Sequence, residues 1–349
     1  MNATDARQGR ARRFIALLAT LLLPAALASL ALGAVPLGPR ELAAGLVAAL
    51  AGDFTDPAAT IVAQLRLPRT LLAGSMGAVL ALCGAVSQGL FRNPLADPSL
   101  IGVTGGATLG AAAAMALGAA ALPALPVLTV VSLGAFAGGV AAVLLVYRLA
   151  TDSTGTSVAT MLLAGIAITA LAGALVSLFE FYADNALLRR ISLWKMGGLE
   201  TGSRPEVLLA LGVTAVLCVA LPRHGSALNA LLLGESEAAH LGIRVGRLKA
   251  ILVAWIALGV GVSVALAGTI AFVGLVVPHV VRLAIGPDHR YLLPGSAMAG
   301  AILLLLADTA ARLLAPPAEI PVGILTALVG VPFFLSLLRQ RARFGMVAA

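Results

Sequence analysis

The stretch from Ala250 to Val281, AILVAWIALGVGVSVALAGTIAFVGLVVPHVV, decides the class of fold. It is an almost unbroken apolar run, and as a single helix it would be about 48 Å long. The hydrocarbon core of a bilayer is only about 30 Å thick, so one helix of this length does not fit across it. We therefore expect the run to break between Gly268 and Pro278, giving two helices.

The composition of the whole chain agrees with a membrane protein. Of its 349 residues, 60% are hydrophobic and 11% are charged, against roughly 45–50% and 25% in soluble domains. This excludes a soluble globular enzyme and also a disordered chain, which needs low hydrophobicity. Cys83 and Cys218 both lie in apolar runs and are too few for a disulfide-stapled module. The length of the apolar runs indicates helices rather than the short alternating strands of a barrel.

The sequence predicts an all-α polytopic membrane protein, with about ten helices in a single transmembrane domain over residues 1–349. The apolar runs cover residues 14–34, 70–90, 99–117, 122–147, 157–179, 206–222, 250–281, 291–311 and 321–338. Arginines precede the first run and follow the last, so both termini are predicted to be cytoplasmic. The first run is longer than the apolar part of a signal peptide, and we expect it to be retained as a helix.

Glycine pairs at four-residue spacing recur in the apolar runs. They are Gly102 with Gly106, Gly106 with Gly110, and Gly134 with Gly138. Small residues at this spacing let two helix backbones approach closely in lipid. We expect these pairs to pack helices within one bundle, and the alternative is a subunit interface.

Several function classes lack their motifs in this sequence. The only lysines, Lys195 and Lys249, follow no glycine, so the chain has no phosphate-binding P-loop. The four histidines show no metal-ligand spacing, and no nucleophile is paired with a base, so we expect no catalytic residue, metal site or bound cofactor. The basic residues lie between apolar runs, which does not indicate a nucleic-acid partner. The apolar runs hold almost no acidic residues, which makes an ion-coupled secondary carrier the weaker alternative.

A polar loop follows the sixth apolar run and is predicted to be cytoplasmic. Its sequence, LGESEAAHLGIRVGRLK over Leu233–Lys249, contains a short amphipathic stretch that is too polar to enter lipid. Such a helix is suited to docking in a groove of another protein. A helix that lies on the membrane surface is the alternative.

Three arginines are predicted at the outer ends of membrane helices. Arg66 and Arg69 stand in the sequence Arg-Leu-Pro-Arg, and Arg312 follows Asp308 by one helical turn. They could anchor in lipid headgroups, and Arg312 could pair with Asp308. The other hypothesis is a basic rim that forms salt bridges with carboxylates on a docking protein, because arginine makes bidentate contacts with carboxylates.

A set of motifs spread over nearly the whole chain resembles one known family. The matching stretches are Arg66–Arg69, Gly84–Gln88, Arg92–Pro98, Gly268–Arg282, Asp288–Arg290, Leu293–Pro294, Ala307–Asp308, Glu319–Gly323 and Gly330–Phe334. They resemble the permease subunits of the ATP-binding cassette (ABC) importers for cobalamin, ferric siderophores and haem. The chain is therefore identified as a member of that family.

The resemblance implies a type II importer permease fold that works as a homodimer, with the substrate path along the two-fold axis. It implies two cytoplasmic ATPase subunits, which bind and hydrolyse ATP and dock on the loop around Gly234, Glu235, Glu237, Ala238, Leu241 and Gly242. It also implies a periplasmic binding protein whose surface glutamates meet Arg66, Arg69 and Arg312. The chain itself would transport its substrate without changing it chemically.

The resemblance also implies a gate at the periplasmic mouth, formed by the segment from Phe179 to Gly198. The candidate substrate-path residues there are Phe179, Tyr182, Arg189, Arg190, Trp194 and Met196. Aromatic and methionine side chains can shelter a flat apolar macrocycle, while cations neutralise its propionates. An ordinary aromatic belt at the membrane interface is the alternative. The segment resembles the haem-uptake branch, so we expect haem or another iron chelate as the substrate, with ferric siderophore or cobalamin as alternatives.

Overall fold

The computed structural model describes residues 3–33, 35, 37–51, 55, 57–121, 126–153, 155–199, 203–316 and 318–343. The elements are α1 (Ala3–Ala31), α2 (Pro39–Ala51), α3 (Pro57–Thr60), a π-helical turn (Ile61–Arg66), α4 (Leu67–Leu90), a 3₁₀ turn (Pro98–Ile101), α5 (Val103–Ala121), α6 (Val127–Leu149), β1 (Thr151–Asp152), β2 (Gly155–Thr156), α7 (Val158–Tyr182), α8 (Asn185–Lys195), α9 (Arg204–Ala220), a 3₁₀ turn (Leu221–His224), α10 (Gly225–Leu231), α11 (Glu235–His240), α12 (Val245–Ala267), α13 (Val273–Ile285), α14 (His289–Leu313) and α15 (Val322–Arg343). The strands β1 and β2 pair antiparallel as a small hairpin. The all-α class expected from the sequence is confirmed.

The number of membrane helices agrees with the sequence. Within the part of the chain that the structure describes, seven helical stretches are long and apolar enough to cross a bilayer: Arg7–Ala31, Pro57–Leu90, Val127–Leu149, Val158–Tyr182, Arg204–Leu231, Val245–Ala267 and His289–Leu313. Three shorter apolar helices accompany them: Val103–Leu117, Val273–Ile285 and Val322–Ser336. Together they account for the expected ten, and the three short helices make that count approximate.

The long apolar run that decides the fold breaks where it was expected to break. Helix α12 ends at Ala267, α13 begins at Val273, and Gly268 between them has a φ of +63°. The carbonyl oxygen of Ala267 accepts a hydrogen bond of 2.9 Å from the backbone N–H of Gly198. Irregular backbone at membrane depth is tolerated only where protein groups satisfy it, and the segment after α8 helps to do so here.

Helix α4 lies at the centre of the bundle, and nearly all of its residues are buried. Helices α9, α12, α13 and α14 pack around it. A Cβ atom at Gly77 would lie 2.2 Å from the carbonyl oxygen of Gly300 in α14, and one at Gly84 would lie 1.9 Å from that of Gly274 in α13. These backbones therefore touch only because glycine stands at the crossing points.

The glycine pairs singled out in the sequence pack α5 against α6. A Cβ atom at Gly106 would lie 2.4 Å from the carbonyl oxygen of Gly138, and one at Gly110 would lie 2.0 Å from that of Gly134. The interpretation that these glycines pack helices within one bundle is confirmed. Gly102 stands apart from this crossing, in the turn before α5 with a φ of +82°.

The helices alternate in direction, so the chain ends and loops collect at two ends of the bundle. The end that holds Arg66, Arg69, Arg312 and α8 is called the arginine end below. The opposite end holds the start of α1 and the helix α11, and it is called the loop end. The two groups of candidate site residues are therefore separated by the full length of the membrane helices.

Candidate functional site

Arg66 lies beneath the C-terminal end of α1 at the arginine end, with only 6% of its surface exposed. Its guanidinium donates hydrogen bonds of 2.7 and 2.8 Å to the carbonyl oxygens of Leu30 and Ala31, and another to that of Val35. The last carbonyl groups of a helix have no partner within the helix. Arg66 therefore supplies the hydrogen bonds that α1 lacks at its end.

Arg312 of α14 meets the same helix end from the other side and is also 6% exposed. It donates to the carbonyl oxygens of Leu32 at 2.8 Å and Ser29 at 2.9 Å. Its Nε atom lies 3.2 Å from the Oδ2 atom of Asp308, one helical turn earlier. The predicted pairing of Arg312 with Asp308 is confirmed.

Arg69 forms the accessible part of this cluster. Its side chain is 14% exposed and binds the fully buried carboxylate of Asp308 at 2.8 Å. It also binds Glu319 at 2.6 Å, and the side chain of Glu319 is 35% exposed. Glu319 lies between α14 and α15, so this ion pair ties the α14–α15 connection to the start of α4.

The three predicted docking arginines are thus brought together, but the rim they were expected to form is not open. Arg66 and Arg312 are buried, and their guanidinium groups donate hydrogen bonds to backbone carbonyls at the end of α1. Sequence inspection did not foresee this, since the acceptors are backbone carbonyls of a distant segment. Their contact with a binding protein stays a prediction.

The predicted gate segment contains the amphipathic helix α8. Asp184 caps its start, with its carboxylate accepting a hydrogen bond of 2.7 Å from the N–H of Leu187. Ile191 on the inner face is 1% exposed, and the helix packs on α5. Lys195 at its end binds Glu180 at 3.0 Å, which fixes α8 to the last turn of α7.

The six candidate path residues do not line one pocket. Arg190 and Trp194 face a cavity of about 280 Å³ together with Glu206 and Glu319. Met196 lines a different cavity, next to α15. The remaining three do not line either cavity: Phe179 is half-buried, and Tyr182 and Arg189 are exposed. Their role as a gate stays a prediction.

A groove between α5 and α7 was missed in the sequence. It has a volume of about 730 Å³, and its lining includes Thr104, Thr108, Thr169, Ser177 and Lys195. The signal available was the spacing of threonines on α5, because residues four apart share one face of a helix. A line of hydroxyls in otherwise apolar helices indicates a path for something polar.

The amphipathic helix predicted in the polar loop is α11, at the loop end. Gly234 before it and Gly242 after it have φ values of +134° and +82°, which favour glycine. Glu235 on α11 binds Lys249 of α12 at 2.7 Å. Lys249 is 3% exposed and also donates to the carbonyl oxygen of Thr156 in the hairpin at 2.6 Å. The helix is therefore held rigidly against the bundle.

The two faces of α11 differ sharply. Ala238 is completely buried against the bundle, whereas Glu237 and Gly242 are exposed. Leu233 and Leu241, which flank the helix, are 69% and 64% exposed. Leu233 was not among the predicted coupling residues. Two exposed leucines beside a fixed helix form an apolar surface suited to a protein partner.

The profile of the FecCD transport family matches residues 20–340. The hemin transport system permease protein HmuU of Yersinia pestis is 46% identical over 279 residues, covering 80% of this chain and 83% of that protein. The cobalamin import system permease protein BtuC of Halobacterium salinarum is 46% identical over 286 residues, covering 82% of this chain and 75% of that protein.

One solved structure resembles the whole fold. It is described as a metal-chelate type ABC transporter in an inward-facing conformation, and it superposes with a TM-score of 0.83 at 33% sequence identity. The match covers 94% of this chain and 99% of the other. The arrangement of helices is therefore that of an ABC importer permease.

Proposed function

The chain belongs to the FecCD transport family, and on that premise we propose that it imports haem, or a similar iron chelate, as one subunit of a larger complex. Members of this family are permeases of ABC transporters and do not catalyse a reaction themselves. The energy must then come from a separate ATPase, because the sequence has no P-loop of its own. The complex would lie in the bacterial inner membrane as a homodimer, with both termini and the loop end in the cytoplasm.

The observation that carries the proposal is the apolar surface around α11. Leu233 and Leu241 are exposed next to a helix that is anchored by the Glu235–Lys249 ion pair. A rigid helix can transmit a displacement of the ATPase to α12, whereas a mobile loop would absorb it. We assign this surface as the ATPase contact, with Glu237 and Gly242 exposed beside it.

Two leucine substitutions test the ATPase contact. Leu241→Glu and Leu233→Glu place a charge on the apolar surface, and each should weaken attachment of the ATPase at least tenfold in a pull-down from detergent. Leu314→Glu is the matched control, because Leu314 is 62% exposed at the arginine end. Equal attachment of the ATPase in all three variants would remove α11 from the interface.

At the arginine end we propose that a binding-protein carboxylate takes the place of Glu319 on Arg69. Glu319 is the more exposed partner, while Asp308 is fully buried and remains in place. Arg66 and Arg312 would hold the end of α1 as part of the same docking surface. The exchange would release the α14–α15 connection and with it the start of α15, where the N–H of Gly323 donates to the carbonyl oxygen of Gly197 in the gate segment at 3.4 Å.

This exchange is tested by removing the competing carboxylate. Glu319→Gln should strengthen docking of the binding protein, because Arg69 is then free for its partner, and Arg69→Gln should weaken it. Glu180→Gln is the control, since Glu180 also pairs with a cation at this end. If Glu319→Gln docks no better than Glu180→Gln, the competition between carboxylates does not occur.

For the substrate, haem is favoured by the cations Arg189 and Arg190, which lie close to the exposed ring of Tyr182 in sequence and could neutralise propionates. Cobalamin is the second candidate, because the relative from Halobacterium salinarum is as similar as the haem permease. The groove with the hydroxyls of Thr104 and Thr169 would be closed by a second copy of the chain in the homodimer.

The deciding experiment is uptake into liposomes. The chain is reconstituted with its ATPase and binding protein, ATP is supplied on the ATPase side, and haem, ferric siderophore and cobalamin are offered from the other side. ATP-dependent uptake of haem alone would support the proposal. Uptake of cobalamin alone would keep the transport mechanism and replace the substrate.

A further inference from the structure

A further cavity lies at the loop end, away from the substrate groove and next to the ATPase contact, with which it shares Leu233. It has a volume of about 800 Å³ and lies between the start of α1, the end of α10 and the α13–α14 connection. Its walls combine cations with apolar side chains, namely Arg7, Arg10, Arg290, Leu232, Leu283 and Tyr291. The transport function as proposed makes no use of its cations.

The charge of this cavity is not balanced. Arg290 is neutralised by Asp288, with its Nη2 atom 2.6 Å from Oδ2. The hydrogen bonds from Arg290 lower the pKa of the Asp288 carboxyl to about 2, so this pair stays ionised at neutral pH. Arg7 and Arg10 are exposed and make no ion pair with any side chain that the structure describes. Two positive charges in the cavity are therefore free to bind an anion.

The cavity opens toward lipid rather than only toward water. Arg10, Leu17 and Leu21 lie along one face of α1, because residues about seven apart share a helix face, and the two leucines are 53% and 44% exposed. On α13, Val280 and Leu283 are 41% and 68% exposed. Both apolar stripes begin at the cavity; α1 is long enough to cross the membrane, and α13 is one of the shorter apolar helices.

We propose that this cavity binds one anionic phospholipid. Arg7 and Arg10 would hold the headgroup phosphate, and the acyl chains would lie along the exposed stripes of α1 and α13. Basic pockets between helices at the cytoplasmic side recognise anionic headgroups in this way. The apolar stripes favour a lipid over an acidic segment of the ATPase, because such a segment would not cover the exposed leucines at membrane depth.

The test uses the purified permease alone, so its result does not depend on the transport proposal. Binding of dioleoylphosphatidylglycerol and dioleoylphosphatidylcholine is compared by native mass spectrometry in detergent. The variant R7Q/R10Q removes two charges from the cavity. The variant R12Q/R13Q removes two charges from the same part of α1 but outside the cavity lining, and it serves as the matched control.

Each cation near an anionic lipid changes its affinity by about a factor of five. We expect R7Q/R10Q to bind phosphatidylglycerol at least about tenfold more weakly, while R12Q/R13Q binds like the unchanged chain. Leu283→Gln should weaken binding of phosphatidylglycerol without changing the charge. Both arginine substitutions are at exposed positions, so folding should be unaffected, and the thermal unfolding midpoint without added lipid checks this.

Three outcomes would overturn the proposal. Unchanged binding of phosphatidylglycerol in R7Q/R10Q would show that these arginines do not hold a headgroup. Complete displacement of the lipid by inorganic phosphate at millimolar concentration would identify a site for free phosphate. In a separate pull-down with the ATPase, loss of attachment in R7Q/R10Q together with unchanged lipid binding would assign the cavity to the protein partner.

Discussion

The crossing of α4 and α13 gives a prediction whose size can be worked out from the geometry. A Cβ atom placed on Gly84 would lie 1.9 Å from the carbonyl oxygen of Gly274, and ordinary van der Waals contact begins at 3.4 Å. The substitution Gly84→Ala therefore requires a displacement from 1.9 to at least 3.4 Å. The atom that must move belongs to the backbone of α13, so a change of side-chain rotamer cannot relieve the contact.

The matched control is on the same helix. A Cβ atom at Gly74 would meet only the Cδ1 atom of Leu305, at 3.9 Å. Gly74→Ala should be neutral or stabilise by up to about 1 kcal/mol, because alanine is the better helix former. Gly84→Ala has the same intrinsic gain, but overpacking costs about 1–3 kcal/mol and more where the backbone must shift. We expect a net loss of about 2 kcal/mol or more at Gly84.

The assay is thermal unfolding of the purified chain in detergent, followed by the fluorescence of a thiol-reactive dye. At about 2 °C per kcal/mol the midpoint of Gly84→Ala should fall by roughly 4 °C or more. Gly74→Ala should leave the midpoint unchanged or raise it. Equal midpoints for the two variants would refute the reasoning that backbone contact at Gly84 holds α4 and α13 together.

Three further predictions concern the charged groups. Asp308→Asn should cost about 3 kcal/mol of stability, because Arg69 and Arg312 then lose their shared buried carboxylate. Glu319→Gln, at the more exposed partner of Arg69, should cost under about 1 kcal/mol. Equal midpoints of thermal unfolding for the two variants would contradict this. The lowered pKa of Asp288 predicts a contribution to stability that is present above about pH 4 and lost as the pH falls toward 2. Between these pH values the unchanged chain should therefore lose more stability than the Asp288→Asn variant. The midpoints of thermal unfolding of both proteins, measured as a function of pH, check this. Lys249→Met should release α11 and raise its hydrogen exchange at least tenfold, while the same change at the more exposed Lys195 should leave exchange in α11 unaltered.

Membrane helices, their number and the break in the longest run could be predicted from the sequence. Hydrocarbon thickness sets helix length, so the excess length of Ala250–Val281 was enough to require a break, and the break lies at Gly268. The packing glycines could also be predicted, because spacing of four on a helix places Gly106 and Gly110 on one face. Each of these rests on periodicity within one segment.

The environment of the candidate site residues could not be predicted in the same way. Arg66 was predicted in a basic rim that meets a docking protein, and its hydrogen-bond acceptors, the carbonyl oxygens of Leu30 and Ala31 in another helix, were not foreseen. Ala238 was a coupling candidate, yet it is buried against the bundle, and the exposed apolar side chains beside α11 are Leu233 and Leu241. Which face of a short helix is exposed depends on what it packs against.

The sequence by itself therefore determined that the chain lies in a lipid membrane, how long its helices are and to which family it belongs, because these depend on composition, periodicity and local motifs. Only the tertiary structure decided that Arg69 is the accessible cation of its cluster and that Arg7 and Arg10 share a cavity with the distant Leu283. The burial of a side chain and the balance of its charge depend on neighbours from separate segments of the chain. These neighbours come together only when the helices have packed.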